Sequence, residues 1–181
     1  MELQKVYQRA ISFAAEKHAR RGQTLPDSII PYSVHLSNVA MEILIAGSKT
    51  KGFDTILAVQ VALLHDLLED TYTSAIELEV EFSKRVSVGV QALTKDKYLS
   101  REIQMKDCLN RLKELPAEIK AVKLADRITN LQYPPFSWTK ERKKNYLVEA
   151  ELILAELAGC NRYLERRMKR EIKQYRKYAR Y

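Results

Sequence analysis

The segment ALLHDLLED, residues 62–70, sets His65, Asp66, Glu69 and Asp70 inside a run that is otherwise apolar. Uncompensated charge in such a run costs several kcal/mol, so a cluster of this kind is tolerated mainly when something binds it. Two more residues complete a set: His35 in PYSVH and Asp126 in KLADRITNL. Two imidazoles and two carboxylates suit a borderline-to-hard divalent ion such as Mn, Fe or Zn, with coordination positions left for water and substrate. Water on such an ion is acidic enough to attack near neutral pH. The H…HD…D pattern therefore reads as a hydrolytic metal site.

Helical spacing explains why these residues belong together. His65 and Glu69 are four apart, Asp66 and Glu69 three, and Asp66 and Asp70 four, so one helix over 54–69 is expected to present all four side chains to a single cavity. Glu69 and Asp70, beyond the direct ligands, are placed to orient or deprotonate water or to protonate a leaving group. Asp126 and Asn130 share the four-residue interval. Taken singly, His35 reads as a hydrogen-bonded core histidine, and Asp126 as a partner of Arg127 or Lys123. The conjunction outweighs those readings, because two of only three histidines fall in the set. His18 is left outside and is expected at the surface or at the entry to a loop.

The elements that must position these groups are helical almost throughout. Apolar periodicity predicts helices near 2–19, 35–47, 54–69, 74–82, 84–94, 100–114, 116–131, 139–158 and 161–178, with loops at 20–34, 95–99 and 132–138. Asp54 and Ser74 suit caps, and Pro116 suits a first helical turn. No stretch alternates in the manner of a strand, so the expected fold is all-α. A length of 181 residues, five Gly, five Pro and no repeat predict one compact domain over 1–160. A basic amphipathic helix over 161–181 then packs on it or extends from it.

Charge is concentrated in that terminal helix, which holds nine Lys or Arg against two Glu, so it carries +7 of the chain's +8. Tyr163, Leu164, Met168, Ile172, Tyr175 and Tyr178 recur at helical intervals, which predicts one docked face and one wet basic face. Nucleic-acid binding through the basic face is considered but not favoured, because charged helix faces are usually solvated surface. No segment has the apolar length of a signal peptide or membrane span, and Cys108 and Cys160 form no CxxC pair. A cytoplasmic protein is the expectation; the oligomeric state is not legible.

In chain order, PYSVH, ALLHDLLEDT, LTKDK and VKLADRITNL resemble the HD-superfamily hydrolase domain of RelA/SpoT homologues, in particular the stand-alone small alarmone hydrolases. A bare H…HD…D marks only an HD phosphohydrolase, whereas Glu69-Asp70-Thr71 and Asn130 narrow the resemblance to this branch. It implies one Mn(II) per chain and removal of the 3′-pyrophosphate from guanosine tetra- or pentaphosphate, giving GDP or GTP and pyrophosphate. It makes His35, His65, Asp66 and Asp126 the ligands, assigns Glu69 and Asp70 to water activation, and puts Asn130 at the ribose–phosphate region. Lys97 in LTKDK matches a phosphate-contacting lysine, and Arg142 and Tyr146 in WTKERKKNY match positions lining the nucleotide site.

One departure stands out. The family usually has an arginine two residues after GQ that stacks near the base; here Gly22-Gln23-Thr24 leads to Leu25, and LPDSII is inserted before Pro31. Arg20 and Arg21 are the candidates to replace that guanidinium, and adenosine analogues become possible substrates. Other function classes stay open: an HD phosphohydrolase acting on nucleotides, dinucleotides or pyrophosphorylated RNA ends, an antitoxin to a toxic alarmone synthetase, or a catalytically idle binding protein. Intact Glu69 and Asp70 argue against the idle form.

Overall fold

A computed structural model describes residues 2–180. Among the described residues ten helices follow one another: α1 (Leu3–Arg20), α2 (Ser33–Ser48), α3 (Thr55–Leu64), α4 (Leu67–Asp70), α5 (Ala75–Glu81), α6 (Lys84–Leu93), α7 (Arg101–Lys113), α8 (Ala117–Asn130), α9 (Lys140–Glu156) and α10 (Arg162–Arg180). Among the described residues the only β-type pairing is a single bridge between Thr24 and Pro31. The all-α expectation holds.

The bundle is organised around α3. Its sequence TILAVQVALL is apolar on every side, and such a helix is stable only when surrounded. Helices α1, α2, α6 and α8 supply that surround, burying Leu57, Ala58, Val59 and the whole of Val61 to Leu64. Asp54 caps α3 by accepting the Leu57 amide at 3.0 Å, and Ser74 caps α5 by accepting the Glu77 amide at 3.1 Å. Pro116, expected inside the first turn of α8, is instead its N-cap residue in extended geometry (φ −54°, ψ 155°).

The single helix expected over 54–69 is broken. Helix α3 ends at Leu64, and the chain turns at His65-Asp66 before the short α4 resumes. In a continuous helix the Ala62 carbonyl would take the Asp66 amide; here it receives Nδ1–H of the His65 ring at 2.8 Å. Asp66 then starts α4, its carbonyl accepting the Glu69 and Asp70 amides at 3.2 and 2.9 Å. Periodicity alone could not show this break, because both halves are apolar.

Helix α10 docks on α9 and α8 and reaches α2. Leu164, Met168, Ile172 and Tyr175 are buried while Arg166, Lys169, Arg170, Lys173 and Lys177 face solvent, as the sequence pattern predicts. Arg167 ties the helix to Glu42 of α2 and to Glu171. Asn161, just before α10, accepts the Tyr163 and Leu164 amides and donates to Thr50 Oγ1, each at 3.1 Å. Removing a cap of this kind costs about 1–2 kcal/mol, so Asn161→Ala is expected to lower the urea midpoint by that amount of stability with an unchanged m value. Leu63→Ala, at a fully buried position in the last turn of α3, is expected to cost about 2–5 kcal/mol in the same measurement.

Candidate metal centre

Three helices converge on one point. His35 lies in the first turn of α2, His65 follows the last residue of α3, and Asp126 is in the last turn but one of α8, and these helices pack against one another. One ligand atom from each of His35, His65 and Asp126 falls within 4.8 Å of the other two. His35 Nε2 is 3.4 Å and His65 Nε2 3.7 Å from Asp126 Oδ1. Asp66 stands beside this triad, its Oδ2 2.9 Å from His65 Nε2 and 3.7 Å from His35 Nε2, and the same oxygen accepts the Tyr32 hydroxyl at 2.5 Å.

Both histidines are 4% exposed, yet neither Nε2 has a hydrogen bond of acceptable geometry. Orphaned buried ring nitrogens are costly, and facing carboxylates at ion-pair range make them fit a divalent cation. The bond from His65 Nδ1–H to Ala62 fixes the tautomer that leaves an Nε2 lone pair directed into the cluster. Electrostatics point the same way. Burial works against charge on Asp126, but the His35 and His65 imidazoles and the buried Lys123 ammonium, 3.7 Å from Oδ2, hold its carboxyl well below the usual range. Burial likewise opposes charge on His65, and Asp66 and Asp126 outweigh it, lifting the imidazole well above its ordinary value. A field that draws a proton so strongly draws a divalent cation as well.

Glu69 and Asp70 end the short helix α4 that starts at Asp66. Glu69 Oε2 accepts the Lys95 amide at 3.2 Å, and Asp70 Oδ2 accepts Gln23 Nε2–H at 2.8 Å. Burial, then the Asp66 charge, raises the Asp70 carboxyl above its ordinary value. His18, expected at the surface or a loop entry, stands in the last turn of α1 where the loop begins, but the surface reading is corrected: it is 1% exposed, its Nδ1 is 2.6 Å from Gln23 Oε1, and its ring lies 4.8 Å from that of Tyr32. The signal was present in α1, where Val6, Ala10, Ala14 and His18 repeat every four residues on the buried face. Sequence reasoning also missed Gln23 and Tyr32, and it named Lys123 only as an alternative partner of Asp126.

A cavity of about 330 Å³ opens beside His35, lined by Asn130, Tyr146, Trp138, Leu25 and Asp27 among others. Asn130 Nδ2 donates to Asp126 Oδ1 at 2.6 Å, joining cavity to cluster. Tyr146 lies under the buried Arg127 guanidinium at 3.8 Å and edge-on to Trp138 at 4.8 Å, and Arg142 covers Trp138 at 4.4 Å. The remaining candidates lie elsewhere. Lys97 is exposed in the loop after α6, Arg20 pairs with Glu16 of its own helix, and Arg21 bonds the Tyr72 hydroxyl and stacks 4.4 Å over its ring.

Among the described residues no helix is long and apolar enough to cross a membrane. The HD domain family model matches residues 10–162. The guanosine-3′,5′-bis(diphosphate) 3′-pyrophosphohydrolase MESH1 of Homo sapiens is 32% identical over 169 residues, covering 91% of this chain and 92% of that protein. A guanosine-3′,5′-bis(diphosphate) 3′-pyrophosphohydrolase of Aquifex aeolicus is 32% identical over 154 residues, covering 83% of this chain but 21% of the longer protein. The solved structure of a metazoan ortholog of SpoT that hydrolyzes ppGpp superposes with a TM-score of 0.80 at 28% identity, covering 93% of this chain and 94% of that one. With its model match spanning most of the helices and a His/Asp cluster suited to a divalent metal at their junction, this chain belongs to the HD domain family.

Proposed function

We propose that this chain is a metal-dependent hydrolase that removes the 3′-pyrophosphate of guanosine tetra- and pentaphosphate, releasing GDP or GTP and pyrophosphate, with Mn(II) as its ion. The observation that carries the reading is the buried His35–His65–Asp126 cluster with two unpartnered Nε2 atoms, joined through Asn130 to a nucleotide-sized cavity. The similarity to 3′-pyrophosphohydrolases along nine-tenths of the chain supports the substrate class.

His35, His65, Asp66 and Asp126 are the residues that would hold the ion. A bound divalent ion supplies Lewis acidity to the attacking water and the phosphoryl group. Asp70, its carboxyl raised by burial and Asp66, accepts the proton of that water, a role that favours a pKa nearer the working pH. Glu69, fixed by the Lys95 amide, orients the water. Asn130 positions the ribose 3′ region, so that the water oxygen bonds the phosphorus as its bond to the 3′ oxygen breaks, and the proton taken up by Asp70 passes to the 3′ oxygen, which leaves as a hydroxyl. Tyr146 and Trp138 offer aromatic faces to the base, with Arg142 at the rim. Lys97, Arg20 and Arg21 reach substrate phosphate or base only if their exposed side chains turn toward the cavity when it is filled.

Elemental analysis checks the ligand set: wild-type protein is expected to carry about one metal ion per chain, and His65→Ala and Asp66→Ala to lose both metal and turnover. Chelation should abolish activity and Mn(II) restore it best among divalent ions, as mixed imidazole and carboxylate ligands favour. Glu69→Gln and Asp70→Asn should keep the metal while kcat falls on the order of 100-fold or more.

A side-by-side substrate panel tests the reaction. Guanosine 3′-pyrophosphates should be hydrolysed, and adenosine counterparts should follow within roughly 100-fold in kcat/KM, because Leu25 and the aromatic walls distinguish purines only on a 1–3 kcal/mol scale. GTP and ATP, with no 3′ phosphoryl group, should be poor substrates. Rapid triphosphate hydrolysis without action on 3′-pyrophosphates would reject this function in favour of a different nucleotide phosphohydrolase.

A further inference from the structure

Asp70 ends a helix of four residues, and its carboxylate has no partner on its own element fixing its direction. The fixing contact comes from 47 positions away, where Gln23 donates Nε2–H to Asp70 Oδ2 at 2.8 Å. A carboxylate only accepts, so the amide nitrogen must face Asp70 and Oε1 must face the other way. Oε1 meets His18 Nδ1 at 2.6 Å, and because an amide oxygen also only accepts, that ring nitrogen carries the proton. His18 Nε2 is left buried without a partner, which suits the unprotonated nitrogen of the neutral Nδ1–H tautomer. Burial, which disfavours the charged ring, keeps His18 in that form.

The main chain holds Gln23 equally firmly. Its amide bonds the His18 carbonyl at 3.1 Å and its carbonyl accepts the Tyr32 amide at 3.2 Å. Tyr32 lies between the His18 and His35 rings, at 4.8 and 5.2 Å, and donates to Asp66. One short stretch thus aligns two carboxylates of the site, Asp66 through Tyr32 and Asp70 through Gln23.

We infer that Gln23, locked in one amide orientation by the buried His18, is a positioning residue that aims the Asp70 carboxylate for proton transfer. Without His18 the amide is free to turn and present its oxygen to Asp70, which repels the carboxylate instead of holding it. The inference rests on the assignment of Asp70 as the proton acceptor.

A double-mutant cycle in kcat tests it. Gln23→Leu, at a half-buried loop position, should lower kcat roughly 10- to 100-fold, the scale set by loss of a hydrogen bond to a charged group and of near-attack alignment. KM, metal content and Tm should stay near wild type. Added to Asp70→Asn, the same change should cost less than about threefold, since no ionised carboxylate remains to aim. Gln23→Glu, which replaces the donor with charge, should fall further than Gln23→Leu. His18→Phe keeps a ring against Tyr32 but lacks the N–H, and should show a several-fold loss that also vanishes in the Asp70→Asn background.

A wild-type kcat for Gln23→Leu, or an equal fall in both backgrounds, would overturn the inference. Full activity of Asp70→Asn would remove Asp70 from the mechanism and the positioning role with it. If the wild type leaves guanosine 3′-pyrophosphates untouched, the substrate assignment fails alone, and the same cycle run on the nucleotide it does hydrolyse decides the role of Gln23.

Discussion

Buried ionisable groups at the meeting of α2, α3 and α8 are the constraint on which the rest of the molecule depends. Two imidazoles and an aspartate, with Asp66 at their edge, lie where water cannot fully solvate them. Such a cluster destabilises a bundle unless its charges are balanced and its geometry is rigid. Both conditions are met from outside the cluster. Lys123, 6% exposed, supplies a positive charge one helical turn before Asp126, and Asn130 one turn after it holds the same carboxylate. The apolar α3, enclosed by four helices, fixes where His65 emerges.

The turn at His65-Asp66 follows from the same demand. An unbroken helix would have spent the Ala62 carbonyl on the backbone; the break spends it on the His65 ring, which sets the tautomer. Directly bonded neighbours can then aim at one point from different directions, His65 from the end of α3 and Asp66 from the start of α4. The local cost of one missing helical bond is small against the cost of misaiming a buried ionisable group.

Much of this was legible in the residues. Apolar periodicity located the helices, cap residues located the starts of α3 and α5, and residue type and spacing picked out His35, His65 and Asp126, which the fold brings together, with Asp66 beside them. What escaped depended on contacts between segments distant in the chain. The Gln23–Asp70 bond joins residues 47 apart, and the Asp27 carboxylate accepts the Ser137 amide at 3.1 Å across 110 residues. His18 was misjudged for a different reason. It was set aside because it falls outside the H…HD…D pattern, although its burial was encoded in the α1 repeat with Val6, Ala10 and Ala14.

The loop after Gln23 is closed at its root. Leu25 bonds Ile30 across the insertion at 2.9 Å, the Thr24–Pro31 bridge lies outside that pair, and Gln23 meets Tyr32 outside both. The excursion between them, with Asp27 in left-handed geometry (φ 54°) and Ile29 fully in solvent, hangs from this neck. Its length and composition can therefore drift without disturbing the residues that align the reacting carboxylates. The neck thereby uncouples two parts of one cavity: the wall formed by Leu25, Pro26 and Asp27 can change its shape, while the His/Asp cluster behind His35 keeps its geometry.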